Sequence, residues 1–125
     1  MFNQLKEKIK TKLFGNSIKI PNELLYSYLF VYMAKYKLGL DIYLLQADQN
    51  TYCIMPNLLI SYKNKIISVP IDVNYYELTN VYGQTNKIPQ NILLKLNDFL
   101  TSNRNTILDY YEGKLSRVET IALLK

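Results

Sequence analysis

The feature that most constrains the fold is a series of short apolar segments between Leu40 and Ile71, separated by connections too short to hold a helix. The segments LDIYLLQ, TYCIM, LLISY and IISVPI alternate with ADQN, PN and KNK, which are rich in turn-forming residues. Strands joined so closely must pair antiparallel, because a parallel crossover needs about a dozen residues or more. The sequence therefore predicts an antiparallel meander of three to four strands, near residues 40–46, 51–55, 58–62 and 66–71.

A helical pattern precedes the meander. Between Pro21 and Gly39 the chain reads NELLYSYLFVYMAKYKL, and Tyr28, Tyr32 and Tyr36 recur within it at four-residue spacing. Apolar residues would occupy most of the circumference of this helix, which is typical of a helix packed on more than one side. We therefore predict a central helix with its tyrosine rings in the core and their hydroxyl groups at the rim.

Helical patterns also follow the meander. Pro89 starts a segment with apolar residues at three- and four-residue spacing, a polar break falls at residues 101–106, and Gly113 ends the next stretch. Ser116 and Glu119 have the spacing of a capping box. This spacing predicts a last short helix.

These patterns predict one α+β domain over residues 1–125, with the N-terminal and C-terminal helices packed on one face of the sheet. The chain has a common domain size, and no Pro-, Gly- or Ser-rich linker divides it.

Its longest apolar run, residues 24–34, is shorter than the roughly 20 residues of a membrane span. Cys53 is the single cysteine and has no disulfide partner within the chain. We therefore predict a cytoplasmic location.

The positive charge is concentrated at the N-terminus. Residues 1–19 contain five lysines and one glutamate, a net charge of +4, out of +5 for the whole chain. On a helix, Phe2, Leu5, Ile9 and Leu13 form a narrow apolar stripe with lysines on both sides. The flanking lysines are Lys6, Lys8, Lys10 and Lys12.

This basic amphipathic helix, predicted over residues 1–15, has several interpretations. It can dock its apolar stripe on the domain while the lysine ammonium groups stay in water. It can instead be peripheral to the domain and bind an acidic protein partner, a nucleic-acid backbone or an anionic membrane surface. The sequence alone leaves these alternatives open.

The residue inventory excludes several classes of catalytic site. With no histidine and one cysteine, the chain cannot form a Ser-His or Cys-His nucleophile pair or a Cys/His zinc site. Its four glycines are isolated, and none belongs to a phosphate-binding loop. We therefore predict a non-enzymatic protein without a cofactor, a metal ion or a small-molecule substrate.

The stretch DVNYYELTNVYGQTN is polar and has no clear period, which predicts an irregular surface loop over residues 72–87. Exposed tyrosines suit protein interfaces because they offer a large contact area at a low cost in side-chain entropy. The leading hypothesis is a protein-interaction module, an accessory or inhibitor of a larger macromolecular machine, whose partner has an acidic surface. The predicted partner-binding residues are Lys6, Lys8, Lys10, Lys12, Tyr75, Tyr76 and Tyr82.

Two other functions remain open. In the first, the protein binds RNA or single-stranded nucleic acid, with tyrosines of an open sheet face stacked on bases and lysines bound to phosphates. The residues predicted for this role are Tyr43, Tyr52, Tyr62, Lys63 and Lys65. In the second, the helix over residues 1–14 attaches to a membrane surface.

Three segments carry a resemblance to other proteins: IYLLQADQN, LLISYKNKIISVPI and IPQNILLKLNDFLTSNRNTILDYYEGKL. A hairpin followed by a helix that ends in Tyr110, Tyr111 and Lys114 resembles small uncharacterised bacterial proteins found in toxin–antitoxin-like gene pairs. The resemblance covers about two thirds of the chain and implies a bacterial or mobile-element origin. Those proteins carry a histidine-bearing, proline-rich stretch where this chain has ADQN and TYC, so no functional residue is transferred.

If the N-terminal helix docks on the domain, its apolar and charged residues should differ in their effect on the free energy of unfolding. Replacing Leu5 and Ile9 with alanine should lower the free energy of unfolding, by about 2 to 5 kcal/mol for each buried side chain. Replacing the four flanking lysines with glutamine should leave it nearly unchanged, because solvated charges contribute little. Urea unfolding measures both effects. An unchanged melting temperature after deletion of residues 1–15 would contradict docking.

Overall fold

The protein is represented by a computed structural model that describes residues 17–18, 20, 22–31, 39–50, 55–80 and 87–125. The strands in these residues are β1 (Ser17–Ile18), β2 (Leu29–Val31), β3 (Asp41–Leu44), β4 (Asn57–Tyr62) and β5 (Lys65–Pro70). The helices in the same ranges are α1 (Asn22–Leu25), α2 (Tyr75–Asn80), α3 (Gln90–Tyr111) and α4 (Arg117–Leu123), with a 3-10 helix at Ala47–Gln49. None of these helices is long and apolar enough to cross a membrane.

The strands form one sheet in the order β1-β5-β4-β3-β2, and all neighbouring strands are antiparallel. The predicted α+β class and antiparallel meander are confirmed, and β3, β4 and β5 match three of the predicted strands. Of the strand predicted over residues 51–55, only Met55 is described, and it lies in a bend. Within the described residues, β1 and β2 form the two edges of the sheet.

Each face of the sheet contributes to a separate apolar cluster, because successive side chains point to opposite faces. The larger cluster contains Ile42, Leu44, Leu58, Ile60, Ile67 and Val69 from the sheet and Leu93, Leu96, Leu100 and Ile107 from α3. The smaller cluster contains Leu59, Leu45 and Tyr28, with Ile20 and Leu25 packed against it. Tyr28 is 3% exposed, as predicted. Thus α3 covers one face, whereas Leu25 of α1 packs on the other.

The helix predicted over residues 21–39 is wrong in its described part, because α1 ends after a single turn and β2 follows. The backbone N–H and the hydroxyl of Ser27 both donate to the Leu24 carbonyl, at 3.0 and 2.5 Å. In β2, which pairs with β3, burial alternates from residue to residue, because successive side chains point to opposite faces of the sheet. Phe30 and Val31 suit a pleated, half-buried surface. The other tyrosines of the predicted helix, Tyr32 and Tyr36, lie outside the described residues.

The irregular loop predicted over residues 72–87 is also wrong in part, because α2 lies within it. The Asn74 side chain accepts a hydrogen bond from the Glu77 N–H at 2.9 Å, and the Glu77 carboxylate accepts one from the Asn74 N–H at 3.3 Å. This reciprocal pair is a capping box that starts the helix. Residues 81–86 lie outside the described residues.

The polar break predicted at residues 101–106 is wrong, because α3 is a single helix of 22 residues that runs through it. Asn103 is 1% exposed and donates from Nδ2 to the carbonyl groups of Phe99, at 2.9 Å, and Lys125, at 3.3 Å. Its Oδ1 accepts from the Lys125 N–H at 2.7 Å. The side chain therefore joins α3 to the last residue of the chain and does not interrupt the helix.

The helix end predicted at Gly113 is confirmed. Gly113 has a φ of 79°, and its N–H donates to the Tyr110 carbonyl at 3.0 Å. The next N–H, of Lys114, donates to the Asp109 carbonyl at 2.8 Å. These two bonds form a Schellman motif, which needs the left-handed conformation that glycine adopts at little cost.

The hydrogen bonds between Asn103 and Lys125 are expected to stabilise the fold. Asn103→Ala should lower the free energy of unfolding by about 1 to 3 kcal/mol, because the partly buried Lys125 N–H loses its acceptor. Asn105→Ala, at an exposed position of the same helix, is the control and should change it by no more than about 0.5 kcal/mol. Urea unfolding followed by far-UV circular dichroism measures both. Equal effects of the two substitutions would contradict a stabilising role for the Asn103 hydrogen bonds.

Candidate functional site: exposed apolar side chains around Ser27

Several predicted site residues lie outside the described part of the chain. They are Lys6, Lys8, Lys10, Lys12, Tyr52 and Tyr82. Their roles stay predictions. The described members are Tyr43 on β3, Tyr62 on β4, Lys63 and Lys65 at the β4–β5 turn, and Tyr75 and Tyr76 on α2.

The two tyrosines of α2 differ in exposure. Tyr76 is 67% exposed, as predicted. Tyr75 was predicted to be exposed, but it is half-buried and packs against the larger apolar cluster. The helix explains the difference, because successive side chains point about 100° apart and meet different surroundings. Among the described residues, α2 therefore presents Tyr76 to solvent.

Tyr43 and Tyr62 lie on opposite faces of the sheet. Tyr62 packs against the cluster under α3, and Tyr43 packs against the cluster that contains Leu59. The Lys63 ammonium lies 5.5 Å from the centroid of the Tyr62 ring, and both Lys63 and Lys65 are exposed. Tyr62 and the two lysines thus form a small aromatic and cationic group at one turn. They do not share a stacking surface with Tyr43.

Two of the clefts formed by the described residues contain charged side chains. The first lies beside the β4–β5 turn, has a volume of about 660 Å³ and contains Asp41 and Lys63. The second lies between α3 and the residues that flank β5, has a volume of about 410 Å³, and contains Asp72 and Arg104. Arg104 lies 3.6 Å from Asp72 and donates to two backbone carbonyls, at 2.8 and 3.3 Å. No group of three or more His, Cys, Asp and Glu in the described ranges is arranged to hold a metal ion.

An aromatic pair lies where β2 meets β3. The ring centroids of Phe30 and Tyr43 are 5.2 Å apart, with an angle of 41° between the rings. Burial raises the pKa of Tyr43 above its ordinary value, and the negative charges of Asp41 and of ionised Tyr26 raise it further. Phe30 is 43% exposed, so the pair is open to solvent.

Exposed apolar side chains lie on both segments where the turn after α1 meets α4. The Ser27 carbonyl accepts hydrogen bonds from the Arg117 guanidinium and from Gln49 Nε2, the latter at 3.2 Å. On α4, Ile121 shares a helix face with Arg117 and with Val118, because these residues are four and three positions apart. We call this the Ser27 surface. In addition to Arg117, its exposed members are Leu24 (43%), Tyr26 (77%), Val118 (81%) and Ile121 (44%).

Hydrogen bonds hold α4 at both of its ends. At its start, the predicted capping box is confirmed: the Glu119 N–H donates to Ser116 Oγ at 3.1 Å, and the Ser116 N–H donates to Glu119 Oε1 at 3.0 Å. Thr120 is buried and donates to the Ser116 carbonyl at 2.7 Å. Just beyond its end, Lys125 is bonded to Asn103. The exposed apolar residues of α4 therefore lie on a helix in a fixed position.

The Ser27 surface was not predicted from the sequence. The capping box predicts a helix but not which side of it is buried. Thr120 and Leu124 line the buried side, and Val118 lies about 160° from Thr120 at 100° per residue. The sequence carries no signal for this arrangement, because the burial of Thr120 is known only from the structure. The bond between Arg117 and Ser27 joins residues 90 positions apart and has no local signal.

No family model, curated protein or solved structure matches this chain. The resemblance to proteins of toxin–antitoxin-like gene pairs therefore stays a prediction. The roles of individual residues rest on the geometry and chemistry of this chain.

The capping box predicts that the stability of α4 depends on pH. Hydrogen bonds with Ser116, first with its backbone N–H, hold the pKa of Glu119 below its ordinary value of 4.5. The stabilisation is therefore fully present above pH 4.5 and is lost as the pH falls through the lower folded-state pKa. Hydrogen exchange of the α4 amides should show decreasing protection over this interval in the wild type. Glu119→Gln cannot ionise and should lack this component, so identical profiles would contradict the prediction.

Proposed function

We propose that this protein is a non-enzymatic protein-interaction module that acts as an accessory or inhibitor of a larger macromolecular machine. The observation that supports this best is the exposure of large apolar side chains on helices and turns, with Tyr76 67%, Tyr26 77% and Val118 81% exposed. Aromatic residues are enriched in the buried centres of protein interfaces. Side chains already held on a fixed helix also lose less conformational freedom on binding.

The proposed partner has an acidic surface. The chain has a net charge of +5, which favours encounter with a negatively charged partner. The N-terminal lysines predicted as partner-binding residues carry much of this charge and belong to the proposal. The proposed location is the cytoplasm, and the proposed origin is a bacterium or a mobile element.

Protein binding fits the residue inventory better than catalysis. A chain without histidine and with one cysteine cannot assemble the common nucleophile and base pairs. In the cleft beside α3, Arg104 donates to two backbone carbonyls, and the side chain of Asp72 is 95% exposed. This pair is typical of a contact that fixes the chain between β5 and α2.

Nucleic-acid binding receives less support from the described geometry. Tyr43 and Tyr62 lie on opposite faces of the sheet, so one strand cannot stack on both from a single face. Affinity for a short single strand, measured over a range of salt concentrations, separates the two functions. Submicromolar affinity at physiological salt would favour the nucleic-acid alternative.

Membrane attachment of residues 1–14 is the third of the three proposed functions in order of support.

Affinity capture followed by mass spectrometry tests the proposal. Immobilised wild-type protein should retain a specific protein from a host extract. Tyr76→Ser, Tyr26→Ser or replacement of the four N-terminal lysines with glutamine should reduce its recovery about tenfold or more, because loss of a central interface residue costs 2 kcal/mol or more.

Two variants of α3 serve as controls for the capture. Leu94→Ser and Asn105→Ser change exposed residues outside the proposed interface and should leave recovery unchanged. The melting temperature of every variant establishes that it is folded. Equal recovery on all variants, or the absence of any specifically retained protein, would contradict the proposed function.

A further inference from the structure

We infer that the Ser27 surface binds a short peptide segment of a partner protein in which large apolar side chains flank a carboxylate. The apolar side chains of this segment contact Tyr26, Val118 and Ile121, and its carboxylate binds the Arg117 guanidinium. The inference rests on the proposed function, because it names the chemistry of the segment that the interaction module recognises.

The apolar part of the Ser27 surface is exposed and held in place. Tyr26 and Val118 are the most exposed of its members, at 77% and 81%. Isolated exposed apolar residues are common on proteins, and the case for an interaction site here rests on several such residues lying on two segments that a hydrogen bond joins. The capping box and the bonds between Asn103 and Lys125 hold α4, so the part of the surface that α4 contributes is ordered before a partner binds.

Arg117 gives the surface its charge preference. The ion pairs between described side chains are Arg104–Asp72 and Lys114–Glu112. Arg117 takes part in neither. Its bond to the Ser27 carbonyl orients the guanidinium and leaves other N–H donors of the group for a ligand. A planar guanidinium held in this way suits two-point binding of a carboxylate.

Charge favours an acidic peptide over a second copy of the chain. Each copy has a net charge of +5, so two copies repel each other as they approach. In a two-fold symmetric dimer centred on this surface, two Arg117 guanidinium groups would also lie near each other. A nucleic acid needs several cations to neutralise its phosphates. Among the five residues that define the Ser27 surface, Arg117 alone is basic.

Selection from a random peptide library displayed on phage tests the inference. Peptides are selected on the wild-type protein and counter-selected on the double variant Val118→Ser/Ile121→Ser. Both of these residues are exposed, and thermal unfolding establishes that the double variant is folded. The selected peptides should be rich in aspartate or glutamate next to leucine, isoleucine or phenylalanine. Fluorescence anisotropy of synthetic versions measures their affinities.

A double-mutant cycle isolates the charge contact. Replacing the peptide's acidic residue with its amide should weaken binding to the wild type about tenfold, as expected for a charge-assisted hydrogen bond. Arg117→Ala should weaken binding by a similar factor. The two changes together should be little worse than either alone, since both remove the same contact. Lys114→Ala changes an exposed basic residue outside this surface and should have no effect.

Several results would overturn the inference. They are selected peptides without acidic residues, equal binding to the wild type and the double variant, the absence of any peptide that prefers the wild type, and self-association through this surface. The proposed function can survive each of them, because a protein captured by the wild type and lost from Tyr76→Ser still supports it. If the capture experiment fails but acidic peptides bind specifically, the result contradicts the proposed function and still supports the peptide site.

Discussion

The packing of α3 on one face of the sheet is the contact on which the rest of the structure depends. Its apolar side chains close the larger cluster, and its polar side chains hold segments that are neither helix nor strand. Arg104 bonds to the chain between β5 and α2, Asn103 bonds to Lys125, and the Tyr111 hydroxyl accepts a hydrogen bond from Asn50 at 3.0 Å. The position of α4, and with it one half of the Ser27 surface, therefore depends on α3.

Elements controlled by local chemistry could be predicted from the sequence. The short connections restricted β3, β4 and β5 to antiparallel pairing, and Lys63 and Asn64 form a two-residue turn with φ values of 47° and 67°, as a type I′ turn requires. The capping box predicts α4, whereas the equivalent N-x-x-E spacing at Asn74 lies in a stretch with no apolar period and does not by itself predict a helix. β2 could not be predicted, since its residues fit a helical pattern and pairing with β3 decides their conformation.

The candidate site was less predictable than the fold, because exposure depends on which surfaces meet. Val118 and Leu124 are both apolar residues of the last helical segment, yet Val118 is 81% and Leu124 is 5% exposed. The same limit applies to Tyr75 and Tyr76, which are neighbours in one polar stretch and differ in burial. The lysines of the N-terminal segment lie outside the described residues, so their role in binding stays a prediction.

The exposed apolar residues of α4 contribute little hydrophobic stabilisation to the fold. Full burial of a side chain such as that of Val118 would contribute about 1.5 to 3 kcal/mol. The hydrogen bonds of Ser116, Glu119 and Asn103 stabilise the helix without covering its outer side. A partner that covers this side buries these apolar side chains, and the cost in conformational entropy is small because the helix is already ordered. The net charge of +5 opposes its coverage by a second copy, and Arg117 favours a partner with a carboxylate. The net charge of the chain thus opposes self-association, and the separate charge of Arg117 selects the chemistry of the partner.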